Sequence, residues 1–294
     1  MKAVNKKIKD SDLEVSGGSR ADRYWSREGF AELYKRFRKP QLQAPQGDAY
    51  EYLKKKNGVV AVEFGNWVPI DIRYNYLIGS IVAMHDISLV TGFKKFGFNR
   101  LSIAFGSRGS GGAPAHYEPA RDTINITRYS RSTGRSGFST DGGIGALAHE
   151  YGHFLDYFFG TKVYNNSGSR ALSGGDLVRT RFTDTELAHK GLWGDFNRLL
   201  NRIINEPAGG HTEYYERVIK IGSVYWYRKN ELFARCFEQY VQHALEKKGI
   251  TNLLLTQNKY ESRAYWSREE FKPIIPFMSR LIATMSREAK KIKL

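Results

Sequence analysis

The sequence predicts an α/β (α+β) fold, a small twisted sheet packed with helices, and three observations predict it. Residues 59–64, 101–105 and 122–127 are short stretches, β-branched or alternating apolar with polar side chains, as strands are. Between and after them run longer segments whose apolar residues return every three or four positions, the period of a helix packed on one side. One of these segments carries His149-Glu150-Tyr151-Gly152-His153, an H-E-x-x-H pattern.

Taken in chain order, residues 1–20 are charged and punctuated by Ser and Gly, as expected of a mobile arm. Helices are expected over about 26–38 and around 50–56, with Pro40 and Pro45 between them, so residues 1–58 read as an N-terminal helical extension. The strand at 59–64 opens the main domain, expected over 59–260. An amphipathic buried helix over about 75–91 separates it from the strand at 101–105. The glycine-rich run at 106–112 lacks the Gly-Lys-Ser/Thr ending of a phosphate-binding loop, which excludes that reading.

The third strand, 122–127, is expected to form a cleft edge to which an extended peptide adds by β-augmentation. The Gly/Ser loops 106–113 and 132–143 are expected to act as lids. Ile144, Leu147, Ala148, Tyr151, Leu155 and Phe158 then recur at helical spacing, and Gly160 stands where a C-terminal stop belongs. From about 183 onward the chain reads as helical, with breaks near 207–210 and at Gly249, and 261–294 reads as a C-terminal basic helix. One echo stands out: Tyr24-Trp25-Ser26-Arg27 against Tyr265-Trp266-Ser267-Arg268. In the second copy Ser267 and Glu270 have the spacing of a capping box.

The H-E-x-x-H spacing has a physical reason. Residues four apart in a helix lie on one face, roughly 6 Å apart along the axis, so two imidazoles can converge on one cation. Glu150 is rotated aside, near enough to reach an attacking water without being a ligand. Placed on an apolar helix, such polar groups need partners, and a Zn²⁺ ion supplies them. Catalytic zinc takes three protein ligands, so a third must come from elsewhere. The stripe Leu232, Phe233, Cys236, Phe237, Tyr240 and Val241 marks a core-packed helix with Glu231 at its start and Glu238 two turns on, and both are candidates. Asp156 is a candidate to orient a ligand imidazole or to form a salt bridge. His116 reads as a solvent-facing residue in a tight Tyr-Glu-Pro turn, and Cys236 as a buried core thiol.

Composition bounds the setting. The lone Cys236 forbids an intramolecular disulfide, which fits a reducing compartment. No signal peptide and no membrane-spanning stretch are expected. The net charge of +16 predicts attraction to polyanions, and two readings stand side by side: non-specific nucleic-acid contact through the basic surface, or a solvated basic face with no partner.

H-E-x-G-H-x-x-D followed by Glu231-Leu232-Phe233-Ala234 resembles the gluzincin peptidase domain of anthrax lethal factor. That resemblance implies that Glu231 is the third ligand and that an upstream tyrosine, Tyr225 or else Tyr227, donates to the oxyanion, with Tyr225 favoured. Phe64-Gly65-Asn66-Trp67-Val68, Ala115-His116-Tyr117-Glu118-Pro119, residues 123–127, Ala146-Leu147-Ala148-His149-Glu150 and Glu231-Leu232-Phe233-Ala234-Arg235 are similar to the first large polyvalent-protein-associated domain, over roughly 60–250. This second resemblance implies a zincin-like module of a phage or conjugative element, with the His149 helix at the floor of a cleft. It implies a metallopeptidase but supplies no substrate. With zinc at the H-E-x-x-H motif, the expected reading is a zinc metallopeptidase acting on a protein or peptide, in the host cytoplasm or packaged in a virion. The rival expectation is a non-catalytic, basic, virion-associated or DNA-binding protein that keeps the scaffold alone.

Overall fold

The computed structural model describes residues 49–66, 68, 70–106, 115–126, 145–164, 171–175, 178–256 and 263–292. The expected helix over 26–38, the expected lids and the first Tyr-Trp-Ser-Arg copy lie outside them, Gly106 excepted. The fold is mixed α/β, with an open four-stranded sheet and nine α-helices among the described residues. The chain divides into two compact units, one reaching Leu147 and taking in residues 252–257, the other running from Ala148 to Thr251 and on from 258.

The first unit holds α1 (Ala49–Lys55), β1 (Val62–Phe64), α2 (Ile70–Thr91), β2 (Ser102–Phe105), β3 (Ala115–Glu118) and β4 (Thr123–Ile126). The strands order as β1-β2-β4-β3; β1 and β4 run parallel to β2, and β3 runs antiparallel to β4. Helix α2 makes the crossover that a parallel β1–β2 pair requires. Its residues Ile78, Ile81, Val82, Ala83, Met84 and Ile87 are all buried, and so is Asp86, so the expected amphipathic helix is closed over on most sides. Tyr76 lies against Phe105 of β2 with ring centroids 4.5 Å apart. Asp86 accepts a hydrogen bond from Asn252 Nδ2 at 2.8 Å. Nearby, the Leu254 carbonyl accepts from the Gly145 and Leu147 N–H groups, at 3.3 and 3.4 Å, where the next helix begins.

Two expectations are corrected here. The strand at 123–126 is interior, paired with β2 on one side and β3 on the other, so it has no free edge to offer a peptide. The unexpected strand β3 covers that edge. His116 stands on it, paired in register with Asn125, and not in a turn.

The second unit is helical. It contains most of α3 (Leu147–Tyr164), then α4 (Asp184–Ala188), α5 (Leu192–Ile204), α6 (Glu213–Ile219), a 3₁₀ turn (Val224–Tyr227), α7 (Lys229–Glu246), α8 (Arg268–Phe271) and α9 (Ile275–Lys291). Helix α3 runs four residues past Gly160, which keeps helical φ: a glycine ends a helix only when it turns left-handed. The buried rings of Phe158 and Phe159 anchor the helix just before it. Ser267 and Glu270 form the expected capping box at the start of α8. Helix α9 packs along α5, where the buried Asp195 accepts from Thr284 Oγ1 at 2.7 Å and pairs with Arg280 and Arg198 at 2.7 and 2.6 Å. Among the described residues no helix is long and apolar enough to cross a membrane.

Candidate metal centre

Helix α3 supplies two imidazoles and a carboxylate. Tyr151, Phe154, Leu155 and Phe158 are no more than 2% exposed and fix which face points inward. That orientation sets His149 and His153 side by side, ring centroids 4.9 Å apart. Gly152, between them, is the reason a second helix comes so near. A Cβ there would lie 3.0 Å from Ala234 Cα and 3.4 Å from Phe237 Cβ, so α3 and α7 meet almost backbone to backbone.

Ala234 follows Glu231 by nearly one turn, and the crossing brings that carboxylate to the histidines. One Glu231 oxygen is 3.5 Å from His149 Nε2 and the other 3.3 Å from His153 Nε2. The three ligand atoms all lie within 4.8 Å of one another, close enough to share a metal ion.

The 3₁₀ turn adds a phenol. The Tyr225 side chain is 44% exposed as a whole, but its hydroxyl end turns inward and hydrogen-bonds Glu231. Burial of that end, then the Glu231 and Glu150 carboxylates, hold the phenol protonated far above its ordinary range. The alternative, Tyr227, points elsewhere, its ring edge-on to Tyr215 at 6.4 Å. Buried Arg235 ties the turn to α7: its guanidinium donates to the Trp226 carbonyl, to the Glu231 carbonyl at 3.1 Å, and lies over the Trp226 ring.

Charge in the site is unbalanced. Burial opposes ionisation of Glu231, but His153 and His149 outweigh it and hold the carboxyl well below the usual range. Burial likewise opposes a charge on His149, and the Glu231 and Glu238 carboxylates beside it outweigh that, pushing its pKa well up. With three carboxylates (Glu150, Glu231, Glu238) about two imidazoles, the site must take up either protons or a cation. The donor set fits a cation: two ring nitrogens and one carboxylate oxygen are the ligands of catalytic zinc, leaving one position for water or substrate.

The remaining candidates fall outside this triad. Glu238, the other candidate ligand, faces His149 Nδ1 at 3.5 Å, on the ring edge away from Glu231. Asp156 is fully buried and accepts from Ser173 N and Oγ, at 2.9 and 2.6 Å, with His153 only in electrostatic reach. Burial, offset in part by those bonds, lifts its pKa to about 6. Cys236 is a free, buried thiol whose pKa burial pushes up. Sequence reasoning passed over Ser173 and Arg235, because neither periodicity nor motif spacing marks a partner that arrives from another segment.

One stretch, from the end of α6 through the Tyr225 turn, α7 and most of α9, is similar to a known domain. Residues 219–289 match the large polyvalent protein-associated domain 1. The match spans about a quarter of the chain and begins far beyond the start of the expected 60–250. It includes Tyr225, Glu231 and Glu238 but not His149 or His153. No curated protein and no solved structure gives a significant match.

Proposed function

We propose that the chain is a zinc-dependent metallopeptidase of the gluzincin type from a phage or other mobile element, with a zincin-like arrangement of its catalytic helices. The observation that carries this reading is the Glu231 carboxylate bridging the Nε2 atoms of a helical His pair at 3.3 and 3.5 Å. His149, His153 and Glu231 would hold the ion. Zinc bound there supplies Lewis acidity, lowering the pKa of a water toward 7 and polarising the scissile carbonyl.

The protein's own groups do the rest. Glu150, one residue on from His149, takes the proton of the attacking water and delivers it to the leaving amine. The Tyr225 hydroxyl, kept protonated at any working pH, donates to the carbonyl oxygen as negative charge grows on it. The low exposure of the two carboxylates, 7% for Glu150 and 6% for Glu231, limits screening of their interactions by bulk water.

Metal analysis of the purified chain, wild type against Glu231→Ala, tests the ligand set: zinc in the first and loss in the second is expected, and no zinc in either sinks the proposal. The +16 net charge favours one rival, a non-catalytic DNA-binding protein that retains the scaffold. It requires DNA affinity that falls steeply with salt and is untouched by Glu150→Gln.

A further inference from the structure

Two turns beyond Glu231, the Glu238 side chain is 1% exposed. One of its oxygens faces His149 Nδ1 at 3.5 Å and accepts a hydrogen bond from Tyr265 Oη at 2.6 Å. Its other oxygen and His149 Nδ1 are both buried without a hydrogen-bond partner. A small rotation of either group closes a charge-assisted bond between them.

Tyr265 belongs to the Tyr-Trp-Ser-Arg segment that the sequence repeats, and that segment is a clamp on α6 and α7. Gln239 Nε2 donates to the Trp266 carbonyl at 2.8 Å, and Trp266 N–H donates back to Gln239 Oε1 at 3.2 Å. The Trp266 ring stacks on Tyr214 at 3.8 Å. Arg217 grips Glu270 at 2.7 and 3.0 Å and donates to the Tyr265 carbonyl at 3.1 Å. These contacts dock the segment without the Tyr265 hydroxyl, which is left to address Glu238.

We propose that Glu238 and Tyr265 are positioning residues of the metal centre: Tyr265 fixes the Glu238 carboxylate, and Glu238 takes the Nδ1–H of His149. That choice of tautomer leaves Nε2, on the Glu231 side, as the nitrogen offered to the cation. The inference rests on the metal reading above.

Zinc affinity of the full-length chain is measured by competition with a chromogenic chelator for wild type, Glu238→Gln, Tyr265→Phe and the double variant, beside each melting temperature in EDTA. Glu238→Gln weakens zinc binding about 10- to 100-fold and Tyr265→Phe about 3- to 10-fold. The double variant is no weaker than Glu238→Gln within about twofold, because the hydroxyl acts through the carboxylate. The visible spectrum of the Co²⁺-loaded Glu238→Gln protein shifts from that of wild type. If Glu238→Gln fails to fold, Tyr265→Phe, which removes one oxygen, decides on the same affinity readout. Unchanged zinc affinity in either variant, with or without a lowered melting temperature in EDTA, makes the pair a structural staple and overturns the proposal. Absence of zinc binding by wild type overturns the metal reading itself, and this inference with it.

Discussion

Replacing Gly152 by alanine drives a methyl group into the helix that carries Glu231. The new carbon meets Ala234 Cα at 3.0 Å and the Ala234 carbonyl oxygen at 3.4 Å, and neither is the end of a flexible side chain. Helix α7 must therefore back away by a few tenths of an ångström. Overpacking of this kind costs about 1–3 kcal/mol, while alanine gains about 1 kcal/mol of helix propensity over glycine. Net destabilisation is then only about 0–2 kcal/mol by the same two magnitudes. Metal binding is the more sensitive readout, because ligand distances tolerate only about 0.2 Å. Zinc affinity by chelator competition is expected to fall at least about tenfold, with a larger loss for Gly152→Val. Guanidinium unfolding in EDTA supplies the stability term. Wild-type zinc affinity together with a gain of about 1 kcal/mol would be the signature of an unconstrained helical glycine, and would refute the close crossing.

Three further outcomes are expected. Glu150→Gln should keep its zinc and lose peptide cleavage by about 10²- to 10⁴-fold, read by mass spectrometry of a peptide library; retained cleavage would remove Glu150 from the mechanism. Cys236, buried and with its thiol pKa pushed up, should ignore thiol reagents in the native protein and react once guanidinium unfolds it; prompt native labelling would contradict the packing of α7. Asp156 titrates at about 6 folded against 3.8 ordinarily, chiefly through burial, so the folded state holds its proton more tightly. Its contribution to stability is therefore fully present below pH 3.8 and is lost as pH rises to about 6, a change of about 3 kcal/mol. Asp156→Asn lacks that titration, so in EDTA its stability relative to wild type should rise between about pH 4 and 6.5; a constant gap refutes the assignment.

Legibility in the sequence followed the range of the interactions. Local periodicity sufficed for α2, α3 and α7 and for three strands, since a helix or strand face is written within a few residues of itself. The H-E-x-x-H helix and the Glu231 helix were legible for the same reason, and the resemblance to known peptidases paired them. Long-range pairing was not legible. Nothing in Ala115-His116-Tyr117-Glu118 says that it will cover the edge of residues 123–126, and that placement turned an expected docking edge into an interior strand. Gly160 misled because glycine marks a stop only through its φ, which the fold sets. Asp156 found Ser173, seventeen residues away, and Glu238 found Tyr265, twenty-seven away. Neither spacing corresponds to a helical or strand period.

The matched span has a consequence for where the chemistry resides. Residues 219–289 hold the Glu231 carboxylate, the Tyr225 phenol and the Glu238–Tyr265 pair, but both imidazoles and Glu150 come from α3, upstream of it. A single carboxylate beside a phenol binds a divalent ion weakly, whereas the three-donor set has the ligand count of catalytic zinc. The candidate metal centre is therefore a property of the α3–α7 crossing and not of the matched stretch alone. That crossing depends on the absence of a side chain at Gly152 opposite Ala234. A protein carrying the matched stretch without an H-E-x-G-H helix against it would keep the Tyr265 clamp and the Glu231 helix, yet lack the site. A match to this domain over 219–289 does not by itself imply zinc or cleavage; in this chain the ligand set also requires the close approach of Gly152 to Ala234.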